Sequence, residues 1–397
     1  MIAALILAAS LHTNFEAGSL AKIEPVSPTH FRCSVKGEVD QDGRNRQASW
    51  YYFRLDDATG KEITIELVDL AGEYNYQPGA FSITRATRPV YSYDGKTWKH
   101  FRGREVQWDD HVPSLRLRFT PVQNRIWIAH VPPYTNADLA GLLKNFRGNP
   151  YLKETVIGRT AGGRDLLLLT ITNPAVPEKN KKVVWLMARQ HAWEAGTSWV
   201  GEGAIRYLLS ADSGAARLRD ELIFKIFPMV DPDGVVRGGV RFNTRGYDLN
   251  RNWDTVKPQL MPEIAAHRKA VLDWIDAGQR IDLFLTLHNT ESEEYLEGPL
   301  TAGGAPVREL AARFSQILTE TTSYNPTRPP GDSTSAPPKP GRMTVDQGLF
   351  RDRAIPAFLM EQMVNSNSKL GHPPEVEDRL EFGAGLARAM GEAVTTR

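Results

Sequence analysis

Two consecutive prolines, Pro132-Pro133, divide the 397-residue sequence into two parts with different hydrophobic patterns. Before them, short segments rich in β-branched and aromatic residues are separated by turn-forming dipeptides such as Asp42-Gly43. Strands at this spacing are typical of an antiparallel sandwich or barrel. We therefore predict an antiparallel β-sandwich domain over residues 1–135. Its clearest strands are residues 50–55, 63–67, 114–119 and 125–129.

After the two prolines, apolar runs alternate with segments of helical periodicity. Residues 183–188 are apolar throughout, which is typical of a strand that helices cover on both faces. Repeated strand–helix units imply an α/β domain, which we predict over residues 136–397, with a mixed sheet and helices on both faces. The predicted strands are residues 183–188, 222–230, 281–287 and 355–360, and the predicted helices are residues 198–209, 262–277, 307–318 and those from about 375.

The composition excludes several classes of protein. Hydrophobic residues make up 41% of the chain and charged residues 24%, as in ordinary globular proteins, and the net charge of +1 gives no support for nucleic-acid binding. Cys33 is the only cysteine, which excludes an intramolecular disulfide and a thiolate zinc site. No apolar run approaches the ~18 residues of a transmembrane segment.

Residues 1–10 are almost wholly apolar. We expect them to begin a cytoplasmic protein as a first strand, or an exported one if they are the remnant of a leader peptide.

Four residues with metal-binding or acid–base side chains follow the predicted strands at their carboxyl ends, where α/β proteins place their sites. His191 and Glu194 follow one strand, His288 follows a second and Glu361 a third. Each residue alone is more often a core or surface residue than a ligand. Together, two imidazoles and a carboxylate match an open zinc site with water in the remaining position. Glu361 is then a candidate for the carboxylate that takes a proton from this water and passes it to a leaving amine.

A basic segment lies between these residues. Gly246-Tyr-Asp-Leu-Asn-Arg-Asn-Trp253 contains Asn250 and Arg251, and Arg241 and Arg245 precede it. A guanidinium binds a carboxylate in two-point geometry, which an ammonium cannot match. The segment is therefore a candidate for binding the anionic end of a substrate, and the alternative is a structural cluster of ion pairs.

Two loops complete the pattern. Asp231-Pro-Asp-Gly234 follows a predicted strand, and we expect a plain β-turn there. Residues 325–342 form an insertion rich in Pro, Gly and Ser, with six prolines, which predicts a semi-rigid loop. It is either a surface connection or a lip over the active site, because long loops inside a domain are often functional.

These segments resemble, in kind and in order, the motifs of the zinc carboxypeptidase family, and specifically of its cytosolic carboxypeptidase branch. That branch carries Arg-x-His-Pro-Gly-Glu, Asn-Pro-Asp-Gly, an Arg ahead of Gly-x-Asp-Leu-Asn-Arg, a strand ending in His and a strand ending in Glu. They follow a β-sandwich with a Trp-Phe-Tyr-Phe-like strand and a closing Pro-Tyr. The corresponding segments here are Trp50-Tyr-Tyr-Phe53, Pro133-Tyr134, Arg189-Gln-His191-Ala-Trp-Glu194, Asp231-Pro-Asp-Gly234, Arg241 with Gly246-Tyr-Asp-Leu-Asn-Arg251, Leu287-His288 and Met360-Glu361.

The resemblance implies a metallocarboxypeptidase, a zinc exopeptidase with one zinc ion per chain. His191, Glu194 and His288 would hold the zinc ion. Glu361 would be the general base, and Asp248 would orient His191 through a hydrogen bond from behind. The bond that is cleaved would be the C-terminal peptide or isopeptide bond of the substrate.

The resemblance also implies how the substrate is bound. Arg241 would stabilise the oxyanion, and Asn250 and Arg251 would hold the terminal α-carboxylate of a peptide or protein. Members of this branch often remove glutamate, and a preference for acidic C-terminal residues would need a cation in the pocket. The candidates are Arg342, Arg351 and Arg353, and the alternative is that they are solvated surface residues.

The chain departs from the family pattern in two places and leaves one role open. Ala192-Trp193 replaces Pro-Gly, and Asp231 replaces the first Asn of the turn. Digestive members carry a tyrosine upstream of the base, but no tyrosine occurs between Asn325 and Glu361.

Two other functions fit part of the pattern. One is a zinc amidohydrolase that deacylates small N-acyl amino acids, and the other is a non-catalytic binding protein, which would have no need for a general base.

Overall fold

The computed structural model describes residues 8–333 and 340–395, which form two compact units. The first unit comprises the chain up to Pro133 together with Val235–Val240, and the second comprises Tyr134–Gly234 and the chain from Arg241 onward. Most of the expected leader or first strand (residues 1–7) and part of the proline-rich insertion (residues 334–339) lie outside the described residues.

The first unit contains twelve strands in its described part. They are β1 (Ser10–His12), β2 (Lys22–Ser27), β3 (His30–Ser34), β4 (Tyr52–Asp56), β5 (Ile63–Val68), β6 (Gly72–Tyr74), β7 (Gln77–Ala80), β8 (Val90–Ser92), β9 (Lys99–His100), β10 (Val106–Asp109), β11 (Ser114–Phe119) and β12 (Ile126–Ala129), with a 3-10 helix at Gly103–Glu105. One sheet has the order β1-β4-β12-β8-β9 and the other β10-β11-β5-β3-β2, while β6 and β7 form a separate hairpin.

Side chains from both sheets fill a common core. Leu115, Leu117 and Phe119 of β11 are buried, while the arginines between them are exposed, which is the period of two expected for a strand with one face in a core. Phe53 and Ile128 of the other sheet belong to the same core. The predicted β-sandwich is confirmed, although one pair of strands, β3 and β5, is parallel.

The chain after Pro133 alternates helices and strands. In order, the elements are α1 (Asn136–Asn145), β13 (Leu152–Arg159), β14 (Asp165–Ile171), a 3-10 helix (Glu178–Asn180), β15 (Lys182–Met187), α2 (Ala195–Leu208), α3 (Ser213–Glu221), β16 (Leu222–Phe227), α4 (Pro232–Val236), α5 (Pro262–Asp276), β17 (Leu283–Thr290), β18 (Tyr295–Gly298), α6 (Leu300–Thr321), β19 (Gly331–Asp332), α7 (Val345–Arg353), β20 (Ala357–Met363) and α8 (Val376–Thr395).

Eight of these strands form one mixed sheet, in the order β13-β14-β16-β15-β17-β20-β18-β19. The four central strands, β16, β15, β17 and β20, are parallel to one another. Ile264 of α5 and Leu349 of α7 share a core with Trp185 on one face of the sheet. Helices α2 and α8 contact β17 and β15 from the other face. The predicted α/β architecture with a mixed sheet is confirmed.

Helices α2 and α8 cross with their backbones in close contact. A Cβ atom on Gly203 of α2 would lie 2.1 Å from the carbonyl oxygen of Leu380, and one on Gly383 of α8 would lie 2.1 Å from that of Val200. Only glycine fits at such a crossing. Because α2 begins directly after Glu194, this packing fixes the helix that follows the loop with His191 and Glu194.

Several predicted boundaries were wrong in ways that affect the site. Strands β17 and β20 continue beyond residues 287 and 360, so that His288 and Glu361 lie inside strands rather than after them. The β-turn predicted at residues 231–234 was also wrong. The segment instead opens α4, and Asp231 Oδ1 accepts a hydrogen bond from the Gly234 N–H at 2.9 Å. Within residues 8–333 and 340–395, no helix has both the length and the apolar character that a membrane crossing requires.

Candidate metal centre and active site

Three buried side chains converge at the carboxyl edge of the parallel strands. His191 and Glu194 lie in the loop between β15 and α2, and His288 lies in the neighbouring strand β17. His191 Nδ1 is 2.7 Å from Glu194 Oε1, and His288 Nδ1 is 3.1 Å from Glu194 Oε2. One ligand atom from each of the three residues lies within 4.8 Å of the others, and all three side chains are at most 2% exposed.

This donor set fits a zinc ion. Two imidazole nitrogens and one carboxylate are the ligands of an open catalytic zinc site. Burial would raise the pKa of Glu194, but His191 and then His288 lower it below its usual value, so the carboxylate stays ionised. Burial lowers the pKa of His288, which favours the neutral imidazole that a metal requires.

Asp248 orients His191 from the side opposite Glu194. Its Oδ1 lies 3.0 Å from His191 Nε2, and its Oδ2 accepts a hydrogen bond from Arg241 Nε at 2.8 Å. Burial would raise the pKa of Asp248, but the charge of Arg241 outweighs it and holds the pKa well below the usual range. An ionised Asp248 can only accept, so His191 Nε2 carries the hydrogen and Nδ1 faces Glu194.

A buried arginine holds the loop that carries His191 and Glu194. Arg189 has a φ of 62°, which is uncommon for a residue with a side chain. Its Nε donates to Ala192 O at 2.8 Å, and its N–H donates to Thr197 Oγ1 at 3.1 Å. The Thr197 hydroxyl in turn donates to Glu194 O at 2.8 Å. Sequence reasoning quoted Arg189 only as part of a motif and missed that it shapes the loop.

Glu361 lies on the strand next to His288. The register pairs Glu361 of β20 with His288 of β17, so both side chains project from the same face of the sheet. Within the described part of the chain, Glu361 Oε2 is shielded from solvent and has no hydrogen-bond partner. Burial, and then the charge of Glu194, raise the pKa of Glu361 well above its usual range. A carboxylate with this tendency to accept a proton suits a general base.

Strand pairing also brings a tyrosine beside Glu361. Tyr295 of β18 is opposite Glu361 of β20, and the guanidinium of Arg328 lies 3.8 Å from the centre of the Tyr295 ring. Arg328 also pairs with Glu297 at 2.6 Å. Sequence reasoning missed Tyr295 because it looked only between residues 325 and 361. The signal that could have found it is the single tyrosine in the acidic segment Glu291-Ser-Glu-Glu-Tyr295, which follows His288 closely.

Asn250 and Arg251 lie next to the three convergent residues. Asn250 Oδ1 accepts the Val345 N–H at 3.0 Å, and Asn250 Nδ2 lies 3.3 Å from His288 Nε2. Arg251 Nη1 donates to Asn250 O at 2.8 Å. Both side chains are buried, at 2% and 4% exposure. The structure therefore brings the basic segment to the same place as His288.

Two of the three arginines suggested as partners for an acidic C-terminal residue of the substrate are engaged in ion pairs elsewhere. Arg351 pairs with Asp352 and Arg353 pairs with Asp276, and the two arginine side chains are 41% and 40% exposed. Both arginines lie on α7, one paired within that helix and the other with the last residue of α5.

Comparisons with known proteins agree with these observations. The family model described as zinc carboxypeptidase matches residues 142–296, which include His191, Glu194 and His288. The model described as cytosolic carboxypeptidase N-terminal domain matches residues 11–131. Residues 142–296 of the chain are thus similar to the zinc carboxypeptidase family. Residues 11–131 are similar to the N-terminal domain of the cytosolic carboxypeptidases.

Individual proteins are similar to this chain over different lengths. Cytosolic carboxypeptidase 2 of Mus musculus is 32% identical over 273 residues, which are 63% of this chain and 31% of the relative. Cytosolic carboxypeptidase 1 of Gallus gallus is 28% identical over 305 residues, or 68% of this chain and 24% of the relative. The chain thus spans less than a third of the length of these curated relatives. The crystal structure of a metallo-carboxypeptidase from Burkholderia cenocepacia superposes with a TM-score of 0.84 at 25% identity and covers 98% of this chain and 99% of the other.

Proposed function

We propose that this protein is a zinc-dependent metallocarboxypeptidase that hydrolyses the C-terminal peptide or isopeptide bond of peptide and protein substrates. The observation that carries the proposal is the convergence of His191, Glu194 and His288, with Glu361 opposite His288 on the next strand. We assign residues 136–397 as the catalytic domain and residues 1–135 as the β-sandwich domain. The match to the zinc carboxypeptidase model supports zinc as the metal, and we propose one ion per chain.

His191 and His288 would hold the zinc ion through Nδ1, and Glu194 through its carboxylate. When bound, zinc polarises the scissile carbonyl group and increases the acidity of a water molecule. The protein contributes the fixed orientation of the ligands, because Asp248 accepts from His191 Nε2 at 3.0 Å.

Glu361 would move the proton. Its shielded Oε2 takes the proton of the attacking water and passes it to the nitrogen of the leaving amino acid. Arg241 would stabilise the negative charge that develops on the carbonyl oxygen. Its side chain is only 14% exposed, and the ion pair of Nε with Asp248 holds the guanidinium in a fixed position.

Asn250 and Arg251 would bind the terminal α-carboxylate of the substrate. The Val345 N–H fixes Asn250 Oδ1, so that the amide nitrogen of Asn250 points toward His288 and the centre of the site. This nitrogen has no oxygen acceptor among the described residues, and a carboxylate would supply one. Recognition of a chain end supports an exopeptidase rather than an endopeptidase.

A preference for acidic C-terminal residues is the finer part of the proposal. Arg342, Arg351 and Arg353 were its candidate cations, but the last two lie in exposed ion pairs. Arg328 is better placed, because it lies over the ring of Tyr295, which is opposite Glu361. Cleavage rates of peptides that end in Glu, Lys and Phe test this preference, and faster removal of Lys or Phe contradicts it.

The principal test measures metal content and C-terminal trimming of a peptide library, with and without a chelator. We expect zinc to copurify with the protein and the chelator to abolish trimming. Glu361→Gln should lower kcat by about 10²- to 10⁴-fold, the usual contribution of a general base, while metal content is unchanged. The matched control is Glu154→Gln, at an exposed carboxylate on the edge strand β13, which should trim at the normal rate.

Two results would replace the proposal. Hydrolysis of small N-acyl amino acids with no peptide cleavage would indicate an amidohydrolase. Equal rates of peptide hydrolysis by the unsubstituted protein and by Glu361→Gln would contradict the role of Glu361 as general base.

The similarity to proteins named cytosolic carboxypeptidases supports a cytoplasmic location for this chain, which cell fractionation would test.

A further inference from the structure

We propose that Gln190 is a positioning residue for His288. Its side-chain amide fixes which ring nitrogen of His288 faces the metal position. The inference rests on the metal centre of the proposed function, but not on the reaction or the substrate. Sequence reasoning treated Gln190 only as the residue between Arg189 and His191, whereas its side chain acts on a histidine that lies 98 residues further along the chain.

The orientation of the Gln190 amide follows from an obligatory contact. Gln190 is fully buried in the loop that follows β15. Its amide nitrogen donates a hydrogen bond to the backbone carbonyl oxygen of Leu249 at 2.8 Å. Because a carbonyl oxygen can only accept, the nitrogen of the amide must face Leu249 and the oxygen must face the other way.

The amide oxygen then faces His288. Gln190 Oε1 is 3.1 Å from His288 Nε2 and 2.7 Å from the hydroxyl of Thr286, which donates to it. An amide oxygen can only accept, so a favourable contact requires a hydrogen on His288 Nε2. The lone pair of the neutral ring is therefore on Nδ1, which faces Glu194 at 3.1 Å. Gln190 thus selects the tautomer that can bind a metal.

A second amide near His288 does not serve this purpose. Asn250 Nδ2 lies 3.3 Å from His288 Nε2. The Val345 N–H can only donate, and it holds Asn250 Oδ1 at 3.0 Å, so the nitrogen of Asn250 is the atom that faces the ring. An amide nitrogen can only donate, so this contact would favour a lone pair on Nε2. It is longer than the 3.1 Å contact of Gln190 Oε1, and the oxygen of Thr286, 3.3 Å from Nε2, can accept from Nε2 as Gln190 does. Of these two amides, only Gln190 offers His288 an acceptor.

The two histidines are held by groups of different charge. The ionised Asp248 accepts from His191 Nε2, whereas the neutral Gln190 accepts from His288 Nε2. A hydrogen-bonded acceptor behind a metal-bound histidine fixes the ring and raises its basicity, and its loss typically weakens metal binding by about 10- to 100-fold. The same loss is expected at Gln190, although the group carries no charge.

The test compares zinc dissociation constants of purified apo-proteins, measured by competition with a chromophoric chelator. Gln190→Met keeps the size of the side chain and removes the acceptor, so the Kd should rise by about 10- to 100-fold. Gln190→Glu restores an oxygen that accepts from His288, so its Kd should stay closer to that of the unsubstituted protein than to that of Gln190→Met. Gln362→Met is the matched control, since Gln362 is another buried glutamine, on β20, and has no side-chain hydrogen bond to the three ligands among the described residues. Its Kd should be unchanged.

Two further measurements separate positioning from simple structural damage. Urea unfolding of each apo-protein reports stability, and the absorption spectrum of the Co²⁺-loaded protein reports ligand geometry. Gln190→Met should change the Co²⁺ spectrum, whereas Gln362→Met should not, even if both are equally destabilised. If Gln190→Met does not fold, Gln190→Asn replaces it. This side chain is one methylene shorter and cannot contact Leu249 and His288 together, so the same rise in Kd is expected.

An unchanged Kd for Gln190→Met would overturn the inference, as would a Kd for Gln190→Glu as high as that for Gln190→Met. Either result leaves the proposed function intact. Failure of the unsubstituted protein to bind zinc at all would instead contradict the proposed function, and the two failures are therefore distinguishable.

Discussion

Glu294 is a buried carboxyl group that should make the stability of this protein depend on pH. It directly precedes β18 and is 3% exposed. Its Oε2 accepts a hydrogen bond from the Asn325 N–H at 2.7 Å. Burial raises the pKa of Glu294 from 4.5 to about 7, although Asn325 and the charges of Arg379 and Lys369 oppose the shift. Between pH 4.5 and 7, the folded state therefore holds a proton that the unfolded chain has largely released.

The sign of the effect follows from this difference. Because the folded pKa of Glu294 is the higher one, the stability linked to its proton is complete below pH 4.5 and is lost as the pH rises through 7. At about 1.4 kcal/mol per pKa unit, ionisation of Glu294 costs the folded state about 3 kcal/mol at pH 8 and less than about 1 kcal/mol at pH 5. Glu294→Gln removes this cost, since the amide stays neutral and can still accept from the Asn325 N–H.

Urea unfolding at pH 5 and pH 8 measures the effect. We compare the free energy of unfolding of Glu294→Gln with that of the unsubstituted protein at each pH. The difference between the two proteins should be about 2.5 kcal/mol more in favour of Glu294→Gln at pH 8 than at pH 5. Glu293→Gln is the control, because Glu293 is the exposed neighbour and its substitution should have the same effect at both pH values. The reasoning would be refuted if the gain in stability from Glu294→Gln were the same at pH 5 and pH 8, or larger at pH 5.

Three further predictions concern acid stability, metal affinity and helix packing. Burial lowers the pKa of His267 from 6.5 to about 4, so about 3 kcal/mol of stability should be lost as the pH falls from 6.5 through 4. His267→Gln should remove this loss in acid unfolding, and an unchanged acid transition would contradict it. Asp248→Ala should weaken zinc binding by about 10- to 100-fold in the chelator competition assay, and an unchanged Kd would refute its role. Gly203→Ala should destabilise the protein in urea by about 1–3 kcal/mol, because its Cβ would meet Leu380 O at 2.1 Å. Gly201→Ala, whose nearest neighbour would be 3.9 Å away, should not destabilise it, and equal effects of the two substitutions would exclude the crossing as the cause.

The central strands and the convergence of the candidate ligands could be anticipated from the sequence because both depend on local pattern. A strand covered on both faces must be apolar throughout, and the run at residues 183–188 corresponds closely to β15. Side chains that follow parallel strands meet at one edge of the sheet, which brought together His191, Glu194 and His288. The ends of β17 and β20 could not be predicted, because the backbone pairing there continues through polar residues.

Contacts between distant segments could not be read from the sequence. Gln190 contacts His288, and Tyr295 is opposite Glu361, only because of the sheet order and register. The helical form of residues 232–236 depends on Asp231 accepting from the Gly234 N–H, a contact that a β-turn pattern also allows. In each case, the residue types permit several pairings, and tertiary packing selects one.

The register of β17 and β20 determines both faces of the sheet at once. His288 and Glu361 are paired on the face that carries the candidate metal centre, so Asn289 and Gln362, one residue later on each strand, face the other side. There, Gln362 lines a small cavity together with Glu294 and Arg379. A slip of one residue would move a carboxylate into that cavity and an amide into the metal centre. Because Glu294 acts on the opposite face, Glu294→Gln should change stability at pH 8 but leave the zinc Kd unaltered. A parallel change in Kd would instead mean that the cavity and the metal centre are coupled through these strands.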